Sequence, residues 1–274
     1  MKPASPLLQR PSILIVVPTL NSFPLLPRLL DSLQQQSCLQ WRVLFIDGPS
    51  GSKHRDWLNN ICEKEIRCRW QEQEPGELGI FGAMNQGFTA ANSNEWLLFW
   101  GSDDWAASPI VLSKVVSAIE ELAINGDRPD LVVCQGRYSD EKTGLLGRKT
   151  IFCDSAFLMG NSFRRKLFWG STPPHQATLF GPGARQRIRR YEEGFRLSAD
   201  LNYFLQISQS KDLQVQVLDL ELVHMSNGGV SGQQTKRRFK EVLTAYRHAF
   251  GWLWWFPFLF RYVRRLLSLI PLTR

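Results

Sequence analysis

Two short apolar runs that each end in aspartate constrain the fold of this chain more than any other feature. Residues 41–46 lead into Asp47, and residues 96–100 lead into the segment GSDD, which contains Asp103 and Asp104. Short apolar runs that are rich in aromatic and β-branched residues are typical of buried strands. In an open α/β sheet, ligands bind beyond the carboxyl ends of the strands. We therefore expect the three carboxylates to converge there on a single cation that grips a nucleotide diphosphate.

Strand-like and helix-like segments alternate through the first half of the chain, which is the pattern of βαβ units. The pattern weakens after about residue 140. We predict an α/β fold with a Rossmann-like, mostly parallel sheet flanked by helices and a C-terminal amphipathic helical extension. The predicted strands are residues 13–17, 41–46, 67–70, 96–100, 131–134 and 213–218, and the predicted helices are residues 25–33, 57–64, 82–91, 109–122, 199–208 and 235–250.

The net charge of +8 is concentrated at the C-terminal end. Residues 236–274 contain nine basic and one acidic residue, whereas residues 1–235 contain 24 of each. Proteins that bind nucleic acid usually carry basic residues around their cleft, so this class is disfavoured. The longest uncharged run of the tail, residues 249–260, has 12 residues, short of the roughly 18 of a membrane span. We interpret the basic, aromatic stretch 251–267 as a helix on a membrane surface, the alternative being a helix packed on the domain or on a second subunit.

The turn after the first predicted strand argues against the common cofactor-binding classes. It is residues 18–24, PTLNSFP, and it contains no glycine. Dinucleotide oxidoreductases and methyltransferases place a glycine-rich turn there, so both are disfavoured. No P-loop motif occurs in the chain either. The five cysteines include no C-x-x-C pair, which argues against a disulfide framework or a zinc knuckle and suits a reducing compartment.

Four segments occur in an order and spacing that identify a family: VPTLN at 17–21, IDGPS at 46–50, ELGIFGAMNQG at 77–87 and GSDD at 101–104. They resemble the family-2 glycosyltransferases of the GT-A fold, and the resemblance is closest to bacterial enzymes that build surface polysaccharides. It covers roughly residues 11–232. The resemblance implies a nucleotide-sugar donor and a divalent metal ion, Mn²⁺ or Mg²⁺. The implied donor-binding residues are Pro18, Thr19, Asn21, Asp47, Glu77, Gly79, Asn85 and Asp103, and the implied metal ligands are Asp104, favoured as the direct ligand, and Asp103.

The chain departs from the family pattern at three positions. Many relatives carry an acidic residue or asparagine in place of Gly101, which implies fewer protein ligands for the metal. Relatives often have aspartate where Glu77 and Gly82 stand, and a glycine offers no side chain to sugar or ribose hydroxyls. Two implied donor residues keep an alternative role: Asn85 as a helix-surface or capping residue, and Asp47 as a turn former.

The resemblance places the catalytic base in the second half of the chain. Asp200, in the segment SADL, matches an acidic residue at the start of the helix that follows the acceptor loop. A carboxylate there would remove the proton of the acceptor hydroxyl as it attacks. The alternative is that Asp200 caps its own helix, where aspartate is favoured.

The four histidines receive different predictions. His175 and Gln176, in the segment PPHQA, resemble the acceptor-side motif of the polysaccharide branch, although a purely structural role for His175 is equally compatible. His224 precedes a segment that resembles the family's flexible Gly-Gly-x-Ser loop, and it is a candidate metal ligand. His54 and His248 are expected on the surface.

These residues predict an inverting, metal-dependent glycosyltransferase. The donor would be a UDP-, GDP- or dTDP-sugar and the acceptor a hydroxyl of a glycan or polyprenyl-linked glycan. The protein would be cytoplasmic, peripheral to the inner face of the plasma membrane and in contact with its anionic surface; a homodimer is compatible with the sequence. The predicted organisation is a GT-A domain at 1–235, with a nucleotide-binding half at 11–135 and an acceptor half at 136–235, and a membrane-surface tail at 236–274. The alternative is a non-catalytic, membrane-docked scaffold that binds a nucleotide sugar.

Overall fold

The structure, a computed structural model, describes residues 10–140, 143–150, 152, 163–226 and 235–267, with side chains up to residue 263. The strands are β1 (Ser12–Thr19), β2 (Trp41–Asp47), β3 (Cys68–Glu72), β4 (Glu95–Phe99), β5 (Trp105–Ala106), β6 (Leu131–Ser139), β7 (Leu146–Lys149), β8 (Thr178–Phe180) and β9 (Val215–Ser226). The helices are α1 (Leu26–Gln34), α2 (Ser52–Lys64), α3 (Gly79–Ala90), α4 (Val111–Ile124), α5 (Phe163–Phe168), α6 (Pro182–Arg187), α7 (Ala199–Ile207), α8 (Thr235–Phe250) and α9 (Trp255–Leu267).

The strands form one mixed sheet in the order β3-β2-β1-β4-β8-β6-β9-β5, with β7 paired to β6. The neighbours β3, β2, β1 and β4 all run parallel. Strand β8 then pairs antiparallel with both β4 and β6. The parallel half therefore delivers the carboxyl ends of β1, β2 and β4 to one edge of the sheet.

Strand β1 shows why the sheet is covered on both faces. Its residues alternate between two cores, so that Ile13, Ile15 and Val17 face one and Leu14 and Val16 face the other. A continuous apolar run of this kind is typical of a strand buried on both sides. Helices α1, α2 and α4 cover the first core, and α3, α7 and α8 cover the second.

The C-terminal segment packs differently from the predicted tail. Helix α8 contributes four buried side chains to the second core, Val242, Ala245, Tyr246 and Ala249. The boundary predicted at residue 235 therefore does not separate the core from the tail, because the packing continues through α8. Among the described helices, none combines the length and the apolar character that crossing a bilayer requires.

The predicted fold class is confirmed: a mostly parallel sheet is flanked by helices and followed by a helical C-terminal part. Each predicted strand and helix has a counterpart. Helix α3 begins three residues before its predicted start, and β9 continues to Ser226 through the charged residues Asp219 and Glu221. The short elements β5, β7, β8, α5 and α6 were not predicted, because segments of two to six residues carry too little periodicity to identify.

Candidate active site

Three strand ends meet at the carboxyl edge of the sheet. In the parallel register Thr19 of β1 lies beside Asp47 of β2. The backbone N–H of Trp100, the residue after β4, donates to the carbonyl of Val16 at 3.1 Å. The turn after β1 therefore lies between the loop after β2 and the acidic segment after β4.

Asp47 organises this edge from inside the protein. Its Oδ1 accepts hydrogen bonds from Thr19 Oγ1 at 3.0 Å and from Ser50 Oγ at 2.6 Å. Arg55 Nε lies 3.4 Å from Oδ2. The side chain is buried, so its carboxylate fixes the β1 and β2 loops to each other and does not face open solvent.

His54 is a component of this cluster that the sequence prediction placed wrongly on the surface. It is 1% exposed, with Nε2 at 3.1 Å from Asp47 Oδ1. Burial lowers the pKa of His54, and the Asp47 carboxylate acts in the opposite direction. The flanking Lys53 and Arg55 give the segment a surface character, whereas the spacing of four residues to buried Leu58 marks the inner face of α2. His248 lies on the surface as predicted.

The turn after β1 is tied to both neighbouring loops. Asn21 adopts a left-handed backbone conformation with φ of 50°. Its N–H donates to Ser50 Oγ at 2.8 Å, and its Oδ1 accepts from the N–H of Gly51 at 2.8 Å. On the other side, Ser102 Oγ donates to the carbonyl of Pro18 at 3.1 Å. These bonds fix the turn to the loops that follow β2 and β4.

Asp103 and Asp104 differ sharply in exposure. Asp104 is 2% exposed, and its Oδ2 accepts the N–H of Gly101 at 2.6 Å. Burial, together with the neighbouring Asp103 carboxylate, raises the pKa of Asp104 well above its ordinary value. Asp103 is only half-buried. A Cβ at position 101 would lie 2.7 Å from Asp103 Oδ1, so glycine there gives the aspartates their room.

The pair of aspartates, without Asp47, is the candidate metal site. Within the described residues, no three His, Cys, Asp or Glu side chains lie close enough together to hold a metal ion. The expectation that Asp47 shares one cation with the pair is therefore wrong. His224 bonds through Nε2 to Glu221 at 2.9 Å, and its role as a metal ligand stays a prediction. Because Mg²⁺ is commonly held by one or two carboxylates plus substrate phosphates, the two aspartates fit such an ion.

Glu77 and Asn85 connect the donor half to the acceptor half. Asn85 Oδ1 accepts the N–H of Tyr191 at 2.7 Å, and Asn85 Nδ2 donates to the Tyr191 carbonyl at 3.3 Å and to Glu77 Oε2 at 3.2 Å. Glu77 also forms an ion pair with Arg190 at 2.9 Å. Asn85 is buried and occupied by these contacts, so the alternative of a helix-surface residue is not what the structure shows.

The two glycines at the start of α3 have backbone reasons to be glycine. Gly79 has φ of 75°, a left-handed conformation that favours glycine. A Cβ at Gly82 would lie 2.4 Å from the carbonyl carbon and oxygen of Glu77. The departure from the family's aspartate at this position therefore accompanies a close approach of the chain that leaves no space for a side chain.

The predicted acceptor-side residues lie where the two halves meet. The carbonyl of Gln176 accepts Trp100 Nε1–H at 3.0 Å, which links this segment to the end of β4. His175 is buried, stacks on Phe99 at 5.5 Å and lies 2.6 Å from Tyr191 Oη through Nε2. Burial lowers the pKa of His175. These contacts agree with the structural alternative for His175, and its contact with an acceptor stays a prediction.

Asp200 lies in the first turn of α7 and is partly exposed. Within the described residues no hydrogen bond engages its carboxylate, so the capping alternative finds no support there. It is close enough to His175 and Tyr191 to act on both electrostatically. The backbone N–H groups just before α7 are held instead by Glu241, which the sequence prediction missed. The predicted glycine-rich loop, apart from Ser226, lies outside the described residues at 227–232.

Comparison with known proteins identifies the family. The model of Glycosyl transferase family 2 matches residues 14–186, which confirms the resemblance found in the four motifs. A PGL/p-HBAD biosynthesis glycosyltransferase of Mycobacterium bovis is 27% identical over 239 residues, covering 85% of this chain and 84% of that protein. An uncharacterized glycosyltransferase of Mycobacterium tuberculosis is 28% identical over 197 residues, covering 71% of this chain and 68% of that protein.

Solved structures share the fold at low identity. S. aureus TarS 1-349 superposes with a TM-score of 0.63 and 14% identity, over 87% of this chain and 66% of that chain, just under two thirds. The same TarS fragment in complex with UDP-GlcNAc gives a TM-score of 0.62, with 15% identity over 87% of this chain and 67% of that chain. The mannosyltransferase PcManGT from Pyrobaculum calidifontis, in complex with GDP-Man and Mn²⁺, gives 0.59, with 14% identity over 88% and 65%.

Proposed function

Because this chain belongs to Glycosyl transferase family 2 and is an enzyme of the glycosyltransferase type, we propose that it transfers a sugar from a nucleotide-diphosphate sugar to a hydroxyl group with inversion. One observation carries the proposal. The segment that carries the half-buried Asp103 is joined to the segment of His175 through the contact between Trp100 and Gln176. The partly exposed Asp200 lies near enough to His175 to act on it electrostatically. We infer from this chain of contacts that an acidic site for a diphosphate and a carboxylate suited to accept a proton lie near each other.

The donor nucleotide is assigned to the turns held by Asp47. The loops carrying Thr19, Asn21 and Ser50 are fixed to one another, so they offer a preformed binding site for the base and ribose. The buried Asp47 acts by holding these loops in place through its hydrogen bonds to Thr19 and Ser50. The folds of TarS with UDP-GlcNAc and of PcManGT with GDP-Man support a nucleotide sugar as the class of donor.

We assign the metal site to Asp103 and Asp104. The resemblance favoured Asp104 as the direct ligand, but we take Asp103 as the primary ligand because it is half-buried whereas Asp104 is 2% exposed. A bound Mn²⁺ or Mg²⁺ would offset the charge of the departing diphosphate. The Mn²⁺ in the PcManGT complex supports this choice of cofactor. Asp104 would complete the site once a cation compensates its repulsion with Asp103.

The transfer is a direct displacement at the anomeric carbon. The acceptor oxygen forms a bond to that carbon on the face opposite the diphosphate, while the bond from the carbon to the diphosphate oxygen breaks. Asp200 takes the proton of the attacking hydroxyl, and the nucleoside diphosphate leaves with the bonding electron pair. Attack from the opposite face inverts the configuration. His175 and Tyr191, on which the Asp200 carboxylate acts electrostatically, would shape the pocket in which the acceptor sits.

The acceptor is assigned to lipid-linked glycans at the cytoplasmic face of the plasma membrane. The basic, aromatic C-terminal segment supports a position at a membrane surface. The similarity to the PGL/p-HBAD biosynthesis glycosyltransferase supports a role in building surface glycans.

Donor turnover tests the assignment. The purified protein is incubated with UDP-, GDP- and dTDP-sugars, Mn²⁺ and a bacterial lipid extract, and the released nucleotide and the glycosylated lipid are measured. We expect Asp200→Asn to abolish transfer while the donor still raises the melting temperature, and Asp103→Asn to lose both metal-dependent donor binding and transfer. Asp127→Asn, on an exposed loop, is the matched control and retains activity. Donor binding without transfer by the wild type would favour the non-catalytic scaffold.

A further inference from the structure

Helix α9 lies against the domain along one side. Phe256 and Phe260 pack on Trp169 with ring centroids 6.1 Å and 4.7 Å apart. Arg261 hydrogen-bonds to Thr172. This side of α9 is therefore occupied by contacts with the domain.

Gly170 shows how close that contact is. Its φ is 76°, and a Cβ there would lie 2.6 Å from Cα of Arg261. On the neighbouring side of α9, Phe258 and Tyr262 contact Phe239 of α8 at 5.2 Å and 5.8 Å. Helices α8 and α9 thus form one packed unit whose orientation on the domain is fixed.

The side of α9 that points away from the domain is apolar. Trp252, just before the helix, is 81% exposed, and Trp255, Leu259 and Val263 are 51%, 55% and 40% exposed. The last three follow one another at intervals of four residues, so they form a single stripe. We call these four residues the outward face. A helix at the surface of a globular domain normally presents polar residues outward, whereas a contiguous exposed apolar patch marks an interaction site.

The segment that carries the outward face is strongly basic. Residues 236–274 carry nine basic residues and one acidic residue, and that acid, Glu241, is buried. Lys236 and Lys240 of α8 are exposed. Two copies of this segment would repel each other, whereas an anionic surface would attract it. Tryptophan side chains favour the headgroup level of a bilayer.

We propose that the outward face docks on an anionic lipid bilayer, with α9 lying in the plane of the interface and the domain on its aqueous side. The four side chains enter the boundary between headgroups and acyl chains, and the surrounding basic residues contact lipid phosphates. Because α8 packs on α9 and holds the start of α7 through Glu241, docking would join the helix that carries Asp200 to the membrane-bound unit. That last step rests on the proposed function, because it would bring the catalytic base toward a lipid-linked acceptor.

Vesicle flotation tests the surface without donor or acceptor. The full chain is mixed with vesicles of phosphatidylcholine and phosphatidylglycerol or of phosphatidylcholine alone, and the floated fraction and tryptophan emission are measured. We expect binding to the anionic vesicles, a blue-shifted emission and weakening at high salt. The double variant Trp255→Glu with Leu259→Glu is expected to weaken binding by at least about tenfold.

The control carries the same two glutamates at exposed apolar positions of the domain, Ile66→Glu with Ile124→Glu. It should bind like the wild type, and circular dichroism melting checks that both variants fold. The proposal is overturned if the outward-face variant and the control float equally, or if light scattering shows a homodimer that the outward-face substitutions dissociate. Donor turnover on a water-soluble acceptor is measured separately, so a failure of membrane docking and a failure of the proposed function give different results.

Discussion

Glu241 of α8 holds the segment that leads into the base-bearing helix α7. Its Oε1 accepts the N–H of Arg196 at 3.1 Å, and its Oε2 accepts the N–H groups of Leu197 and Ser198 at 2.8 Å and 2.9 Å. Arg237 Nε lies 3.0 Å from Oε1. Since the Ser198 side chain makes no capping bond, the buried carboxylate of Glu241 serves this helix start instead. Glu241→Ala is therefore expected to destabilise the protein strongly.

The size of the effect follows from these bonds. A hydrogen bond to a charged group contributes about 1.5–3 kcal/mol, and a buried N–H group left unpaired costs about 1–3 kcal/mol. Because three N–H groups share one carboxylate, their contributions overlap, and we expect a loss of about 3–5 kcal/mol in the free energy of unfolding. In a chain of this size that corresponds to a fall in Tm of roughly 6–15 °C. Glu241→Gln keeps one acceptor oxygen, so its loss in the free energy of unfolding should be smaller than that of Glu241→Ala.

Urea and thermal denaturation at neutral pH measure the loss, with Arg237→Ala as the matched control. That substitution removes the partner of the ion pair, whose side chain is 43% exposed, and leaves the three backbone bonds in place. An ion pair with a partly exposed partner contributes about 0–1 kcal/mol, and the carboxylate keeps its three backbone donors, so the control should lose much less stability than Glu241→Ala. Equal losses for Glu241→Ala and Arg237→Ala, or a loss below about 1 kcal/mol for Glu241→Ala, would refute the reasoning.

Enzyme kinetics of Glu241→Gln add an independent readout. If Asp200 is the base, a loosened start of α7 displaces it from the acceptor hydroxyl. We expect kcat to fall while KM for the donor changes little, because the donor-side turns are held by Asp47 on the other half of the sheet. A rise in the donor KM with unchanged kcat would contradict this separation of roles.

Three further predictions concern other parts of the fold. Asp104→Asn removes a buried carboxylate whose pKa is raised by burial and by Asp103. It should therefore raise the Tm of the metal-free protein by roughly 2–4 °C and abolish metal-dependent turnover. A lowered Tm would contradict this. Gly82→Ala would place a Cβ 2.4 Å from the Glu77 carbonyl and should cost about 1–3 kcal/mol in urea denaturation, whereas the control Gly76→Ala, with nothing within 4 Å of the added Cβ, should be nearly neutral. The Arg137 guanidinium lowers the pKa of Glu221 from 4.5 to about 2, so Glu221 stabilises the fold above its ordinary pKa and this contribution disappears as the pH falls through about 2. The difference in unfolding free energy between wild type and Glu221→Gln should shrink as the pH falls from 4.5 to about 2. A difference that stays constant over this pH range would exclude the ion pair as its cause.

The parallel half of the sheet could be predicted because its signals are local. The runs before Asp47 and Asp103 are apolar on both strand faces, and both strands lie where they were predicted. The shared edge of β1, β2 and β4 follows from parallel topology alone. What the pattern could not give is the direction and burial of each carboxylate. Asp47 points inward because Thr19 and Ser50 donate to it, and Asp104 because the N–H of Gly101 does.

The charge of the C-terminal segment predicted its packing incompletely. Nine basic residues among residues 236–274 suggest one surface-bound tail, yet α8 contributes four side chains to the second core, whereas α9 carries a row of exposed apolar side chains. The single acidic residue of this stretch, Glu241, is the one that is buried. The spacing of four residues between Arg237 and Glu241 predicts their ion pair from the sequence. The three backbone partners of Glu241, in contrast, lie more than forty positions away. Contacts of that range depend on tertiary packing, which periodicity within a segment does not encode.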